Sequence, residues 1–122
     1  MKTLDEAPFR ISESPAPTEL LGKYFRGLGD PTRLRLLERL GEGEEYSVGE
    51  LVERVGVAQP AVSRHLGCLR WCGFVVSRRE HRTVYYRLAD PRVTELLGIG
   101  RALLADNAEH VAACGVIDEA RC

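Results

Sequence analysis

The chain of 122 residues has a single tryptophan, a single methionine and 7% aromatic residues. No apolar run approaches the ~18 residues that a membrane-crossing helix needs, so no membrane span is expected. The N-terminal stretch MKTLDEAPFRISESPAP lacks the basic start and apolar core of an export signal. The expected location is therefore the cytoplasm. Catalytic constellations are missing as well. No Gly-rich phosphate loop, no Cys-x-x-Cys redox motif and no nucleophile–base–orienter set stands out, which argues against an enzyme. Net charge is nearly absent too: 17 Lys and Arg face 18 Asp and Glu, for −1 overall. The total gives no reason to expect a polyanionic partner.

The distribution of charge does. Residues 1–55 carry 8 basic against 11 acidic side chains, and residues 93–122 carry 2 against 5. Between them, residues 56–92 hold seven arginines (64, 70, 78, 79, 82, 87 and 92) against Glu80 and Asp90. A basic segment between acidic flanks is the electrostatic footprint of phosphate binding. A solvated charged face would have the same composition, so the pattern around the arginines has to decide.

The size fits one domain with one modest core. Residues 1–17 read as a flexible arm. Thr18 is expected to cap a first helix, with Leu20, Leu21, Tyr24, Phe25 and Leu28 at helical spacing. Asp30 followed by Pro31 predicts the start of a second helix, which "GEG" at 41–43 ends. Ser47 and Glu50 form a capping box for a third, short helix that Gly56 stops. After the tight turn "GVAQ", a fourth helix is expected from about Gln59–Pro60 to Gly73, completing a helix-turn-helix. "FVVSRRE" and "TVYYRLA" then read as a hairpin turning at "HR", and Asp90–Pro91 opens a last amphipathic helix. The expected class is α+β, mainly α: a winged helix-turn-helix with the order α-α-α-α-β-β-α. The domain is expected over 18–110, with residues 111–122 as a C-terminal tail.

A recognition helix offers its N-terminal residues to base edges in the major groove. The candidates are Gln59, Ala61, Ser63, Arg64 and His65. Gln pairs with adenine and Arg with guanine, whereas Arg78, Arg79 and Arg82 on the wing suit phosphate or the minor groove. His65 has a second reading, as a packed histidine that holds the helix to the domain.

Four cysteines in a reducing compartment more often bind metal or do chemistry than staple a fold. Cys68 and Cys72 lie one helical turn apart, on one face and about 6 Å apart along the axis. Such a pair can close on a soft ion, with a third donor from elsewhere. The alternative treats both as small core residues. A disulfide between them is disfavoured by their expected place within a helix. Cys114 and Cys122 lie beyond the last helix, where no core needs them.

Over residues ~20–105 the chain resembles the ArsR/SmtB family of bacterial metal-sensing repressors. "LGDPTRLRLLERL" resembles the family's second helix, and "SVGELVERVGVAQPAVSRHLGCLRWCGFV" its helix-turn-helix. "SRREHRTVYYRL" is similar to its wing, except that His81 stands where the family usually has glycine. The third-helix cysteine motif of some members is missing, and Asp106, Glu109 and His110 form an incomplete version of the last-helix site. "CLRWCG" instead resembles the CmtR type, cadmium/lead sensors with two cysteines in the recognition helix and one in the tail. The resemblance implies Cys68, Cys72 and Cys114 as metal ligands, with Cys122 competing for the third place. It implies cadmium, lead or mercury as effector, since thiolates select soft ions. It also implies a homodimer on an inverted-repeat operator. A thiol redox sensor or an arsenite sensor on the same fold is the alternative.

Overall fold

The computed structural model describes residues 16–118. Six helices and a small sheet follow one another as α1 (Pro17–Leu28), α2 (Pro31–Glu42), β1 (Tyr46–Ser47), α3 (Val48–Val55), α4 (Gln59–Trp71), β2 (Val75–Glu80), β3 (Thr83–Leu88), α5 (Arg92–Ala113) and α6 (Gly115–Asp118). The sheet is antiparallel in the order β1-β3-β2. No helix among the described residues is long and apolar enough to cross a membrane.

Local chemistry explains most boundaries. Asp30 Oδ1 accepts from the amides of Thr32 (2.8 Å) and Arg33 (3.1 Å), with Pro31 at the first helical position. The Ser47–Glu50 capping box is closed in both directions, at 3.2 and 2.8 Å. Gly56 ends α3 at φ 68° and Gly73 follows α4 at φ 87°, both in the left-handed region that glycine enters without penalty.

Several details differ from the sequence-based expectation. Thr18 is not a cap. Pro17 already occupies the first helical position with its fixed φ, so α1 starts two residues earlier than a Thr18 cap implies. Glu19 then accepts from the Ala16 amide at 3.1 Å. A third strand, β1, pairs Tyr46 with Tyr86 and Ser47 with Tyr85. It is two residues long, too short for any period to announce it. α4 stops at Trp71, so Cys72 is its C-cap and not a mid-helix residue. α5 runs three residues past the expected limit at 110, and α6 follows it.

The core gathers Leu36, Leu37 and Leu40 of α2, Leu51 of α3, Val62, Leu66 and Leu69 of α4, and Phe74 and Val75 at the entry to the wing. Burying a side chain of this size contributes about 1.5–3 kcal/mol. Three positions on α4 are fully buried, so the recognition helix is fixed along its inner face and free along its outer one. α1 and α5 are different. α5 enters the core through Val93, but Ile99, Leu103 and Leu104 farther along remain exposed, as do Leu21 and Phe25 of α1.

Candidate nucleic-acid interface and thiol site

Gln59 opens α4, and Gln59, Ser63 and Arg64 are exposed on its outer face, with Ala61 half-buried. The short α3–α4 connection of Gly56, Val57 and Ala58 presents that helix start at the surface. His65 turns the other way. Its side chain is 16% exposed, with Nδ1 3.2 Å from Arg33 Nη1 and Nε2 3.9 Å from Asp30 Oδ1. It sits against the α1–α2 junction, the packed arrangement.

The wing is a six-residue pairing from Val75↔Leu88 to Glu80↔Thr83, turned by His81 and Arg82. His81 adopts φ 58°, so the hairpin closes with a non-glycine residue in the left-handed region. Arg79 and Arg82 are exposed and have no carboxylate partner among the described residues. Arg78 is committed elsewhere. Its Nε and Nη2 donate to Glu45 at 2.8 and 2.7 Å, and its Nη1 donates to Glu80 at 2.8 Å. The guanidinium also lies 4.7 Å from the Tyr85 ring centre. These carboxylates raise the Arg78 pKa further, and the guanidinium in turn lowers that of Glu45. Arg70 donates to Ser77 Oγ at 3.3 Å, and Arg92 is paired with Asp90 at 2.8 Å. Of the seven arginines in the basic segment, Arg64, Arg70, Arg79, Arg82 and Arg87 therefore keep their charge unpaired by any carboxylate among the described residues. The phosphate-facing charge is smaller than the sequence count.

The thiols lie on the adjoining face. Cys68 and Cys72 are both half-buried, and the Cys68 thiol is near enough to act on that of Cys72. The backbone still closes that turn, Cys72 N to Cys68 O, at 3.0 Å. Burial pushes the Cys72 thiol above its ordinary range, and Cys68 adds to the rise. The cations Arg33 and Lys23 oppose it. Across the gap stands α1: a Cβ on Gly27 would lie 3.6 Å from Cys72 Sγ. Tyr24, whose ring centre is 4.5 Å from that of Phe74, has its phenol pKa raised by burial and then by Cys72.

Two adjacent sulfur donors suit a soft ion and are poorly matched to magnesium or manganese. The third donor is not beside them. Among the described residues, no three Cys, His, Asp or Glu side chains are grouped to hold a metal. α5, about 33 Å long at 1.5 Å per residue, carries Cys114 at its far end. A third thiolate from Cys114 would have to come from elsewhere, such as a second copy of the chain. Cys122 lies outside the described residues.

Sequence reasoning missed Arg33 and Glu45. Each acts on a residue more than thirty positions away, His65 and Arg78, and no periodicity signals such pairs.

Comparison with known proteins agrees with this architecture. Residues 30–77 match the family model described as bacterial regulatory protein, arsR family. A probable mercury resistance operon repressor of Streptomyces lividans is 47% identical over 92 residues, covering 75% of this chain and 73% of that protein. The HTH-type transcriptional regulator CmtR of Mycobacterium tuberculosis is 45% identical over 78 residues, covering 64% of this chain and 65% of that one. In three dimensions, the homodimeric winged helix-turn-helix DNA-binding domain Mb0332 of Mycobacterium bovis superposes with a TM-score of 0.66 at 27% identity. The match covers 83% of this chain and 95% of that one. These relatives are regulators and not enzymes.

Proposed function

This chain belongs to the arsR family of bacterial regulatory proteins, and from that premise we propose that it is a metal-responsive repressor. It binds operator DNA as a homodimer and lets go when a soft, thiophilic divalent ion occupies Cys68 and Cys72. The observation that carries this reading is the placement of two neighbouring, half-buried thiols at the end of the helix that carries Gln59, Ser63 and Arg64. A ligand at the thiols thereby acts on the element that reads bases.

Gln59, Ser63 and Arg64, with Ala61 flanking them, meet base edges, while Arg79 and Arg82 meet phosphate. Arg78 ties the wing to Glu45. The exposed apolar faces of α1 and α5 suit a second copy of the chain, in keeping with the homodimeric Mb0332 domain. Two-fold symmetry then matches an inverted-repeat operator.

The ion would be held by Cys68 and Cys72, with Cys114 of the second subunit as the third thiolate and Cys122 as its competitor. Bound there, it supplies a crosslink between the recognition helix and the end of α5. The names of the mercury resistance repressor and of CmtR support a metal effector, with cadmium, lead and mercury as candidates. The raised Cys72 thiol pKa slows attack on oxidants, and it equally means that a bound ion has to displace a proton that burial favours. Thiols must lose their protons to bind, so metal binding should release protons and weaken as pH falls.

The test is a titration of the reduced protein on a labelled fragment of its own promoter with Cd²⁺, Pb²⁺ and Hg²⁺, followed by fluorescence anisotropy. Release by at least one of these ions at stoichiometric concentration is expected. Release by peroxide or diamide with none by metal would assign the thiols to redox sensing instead.

A further inference from the structure

The inner face of α4 that carries the thiols also carries His65, about one turn before Cys68 and two before Cys72. Its Nδ1 lies 3.2 Å from Arg33 Nη1. A guanidinium has donors and no acceptor, so Nδ1 accepts and the ring proton sits on Nε2, on the side facing Asp30. The same guanidinium donates from Nε to the Gly27 carbonyl at 2.6 Å and from Nη2 to the Arg26 carbonyl at 3.4 Å. Both carbonyls belong to the last turn of α1, where the negative end of the helix dipole favours a cation. Asp30 caps α2 through the Thr32 and Arg33 amides. One side chain therefore joins the end of α1, the start of α2 and the inner face of α4. Its charge is also felt at the Cys72 sulfur.

We propose that Arg33 is a positioning residue that transmits the state of the Cys68–Cys72 pair to the recognition helix through His65, an inference that rests on the reading of those cysteines as metal ligands. An ion that gathers the two sulfurs shifts the last turns of α4 relative to α1. His65 shares their face and moves with them, so its hydrogen bond to Arg33 must re-aim. Arg33 is anchored on the carbonyls of α1, the helix whose Leu21 and Phe25 remain exposed for a second subunit. The displacement is thus registered against the dimer frame, where it alters the spacing of two reading heads.

The test compares the full-length protein with Arg33→Lys, which keeps the charge but removes the fork. Operator affinity is measured with and without Cd²⁺, alongside ¹⁵N spectra of the His65 ring. The parent should show the Nε2-protonated tautomer, with ring resonances that shift when Cd²⁺ saturates the protein. Arg33→Lys should keep metal-free affinity and the thiolate absorption of bound Cd²⁺, while the ratio of the two affinities shrinks at least about fivefold. A purely structural Arg33 would lower stability and both affinities and leave their ratio unchanged, which overturns the proposal. If Arg33→Lys fails to fold, an unshifted His65 ring in the Cd²⁺-saturated parent overturns it equally. Pb²⁺ and Hg²⁺ are run alongside Cd²⁺, and an unshifted His65 ring under whichever ion releases the DNA overturns the proposal. No release by any soft ion sinks the metal reading itself, and this proposal with it.

Discussion

At the residue scale, the C-cap position of Cys72 gives its thiol more latitude than a mid-helix site would, because Gly73 begins the chain's exit from α4. Leu66 and Leu69, buried on the same helix, tie any movement of that turn to the core. Cys68→Ser and Cys72→Ser should each leave the fold and the metal-free DNA affinity intact and abolish release by metal, since a hydroxyl is a poor ligand for a soft ion. Anisotropy titrations of both variants check this. Asp30 has a different task. Burial opposes its ionisation. The Arg33 amide, the neighbouring His65, the Thr32 amide and the Arg33 charge outweigh that and hold the carboxyl below its ordinary value of 3.8. A depressed folded pKa means stability that is fully present above the unfolded value of 3.8 and is lost as pH falls through the lower folded value. Asp30→Ala should cost about 1 kcal/mol at neutral pH, from the lost cap. The difference between variant and parent should shrink progressively as pH falls below 3.8, as chemical denaturation at pH 7 and at a series of lower pH values would record.

At the scale of elements, wing and helix should fail in different ways. Arg79→Ala or Arg82→Ala removes a charge with no carboxylate partner among the described residues. Affinity for all DNA should fall about equally, and the salt slope should flatten by roughly one per lost phosphate contact. Gln59→Ala or Arg64→Ala should instead erode discrimination between operator and unrelated DNA, by about 1–3 kcal/mol per lost base contact. Arg78→Ala should resemble neither. It breaks the tie from β2 to Glu45, so the salt slope should change little while the wing loosens, visible as faster amide exchange in β2 and β3. Competition binding across a salt series separates the three outcomes. This scale also shows what the sequence made legible. The capped helices and the hairpin were readable, since Asp30–Pro31, the Ser47–Glu50 box and the "HR" turn each act locally. β1 was not, because two residues have no period and their pairing depends on Tyr85 and Tyr86 far along the chain. The basic count over-stated the wing for the same reason: Glu45, distant in sequence, occupies Arg78.

At the scale of the whole molecule, α1 and α5 leave an apolar face that the core of one copy does not cover. Leu103 is 64% and Ile99 60% exposed. In a two-fold dimer each such residue counts twice. Leu103→Asp should therefore shift the protein to monomer in analytical ultracentrifugation and weaken operator binding, with the monomer fold retained. That face was foreshadowed by the amphipathic pattern of the first and last helices. The grouping of Cys114 with Cys68 and Cys72 that the resemblance implies is not made within the described residues of one copy, where Cys114 caps α5.

The most direct test of the account follows metal and DNA in the same sample. The reduced protein, bound to labelled operator, is titrated with Cd²⁺ while thiolate-to-metal absorption and anisotropy are recorded together. The account predicts that the two signals saturate together and that both are lost in Cys68→Ser and Cys72→Ser. Metal-driven release that survives in both serine variants would contradict it, and so would a saturated thiolate band with the DNA still bound.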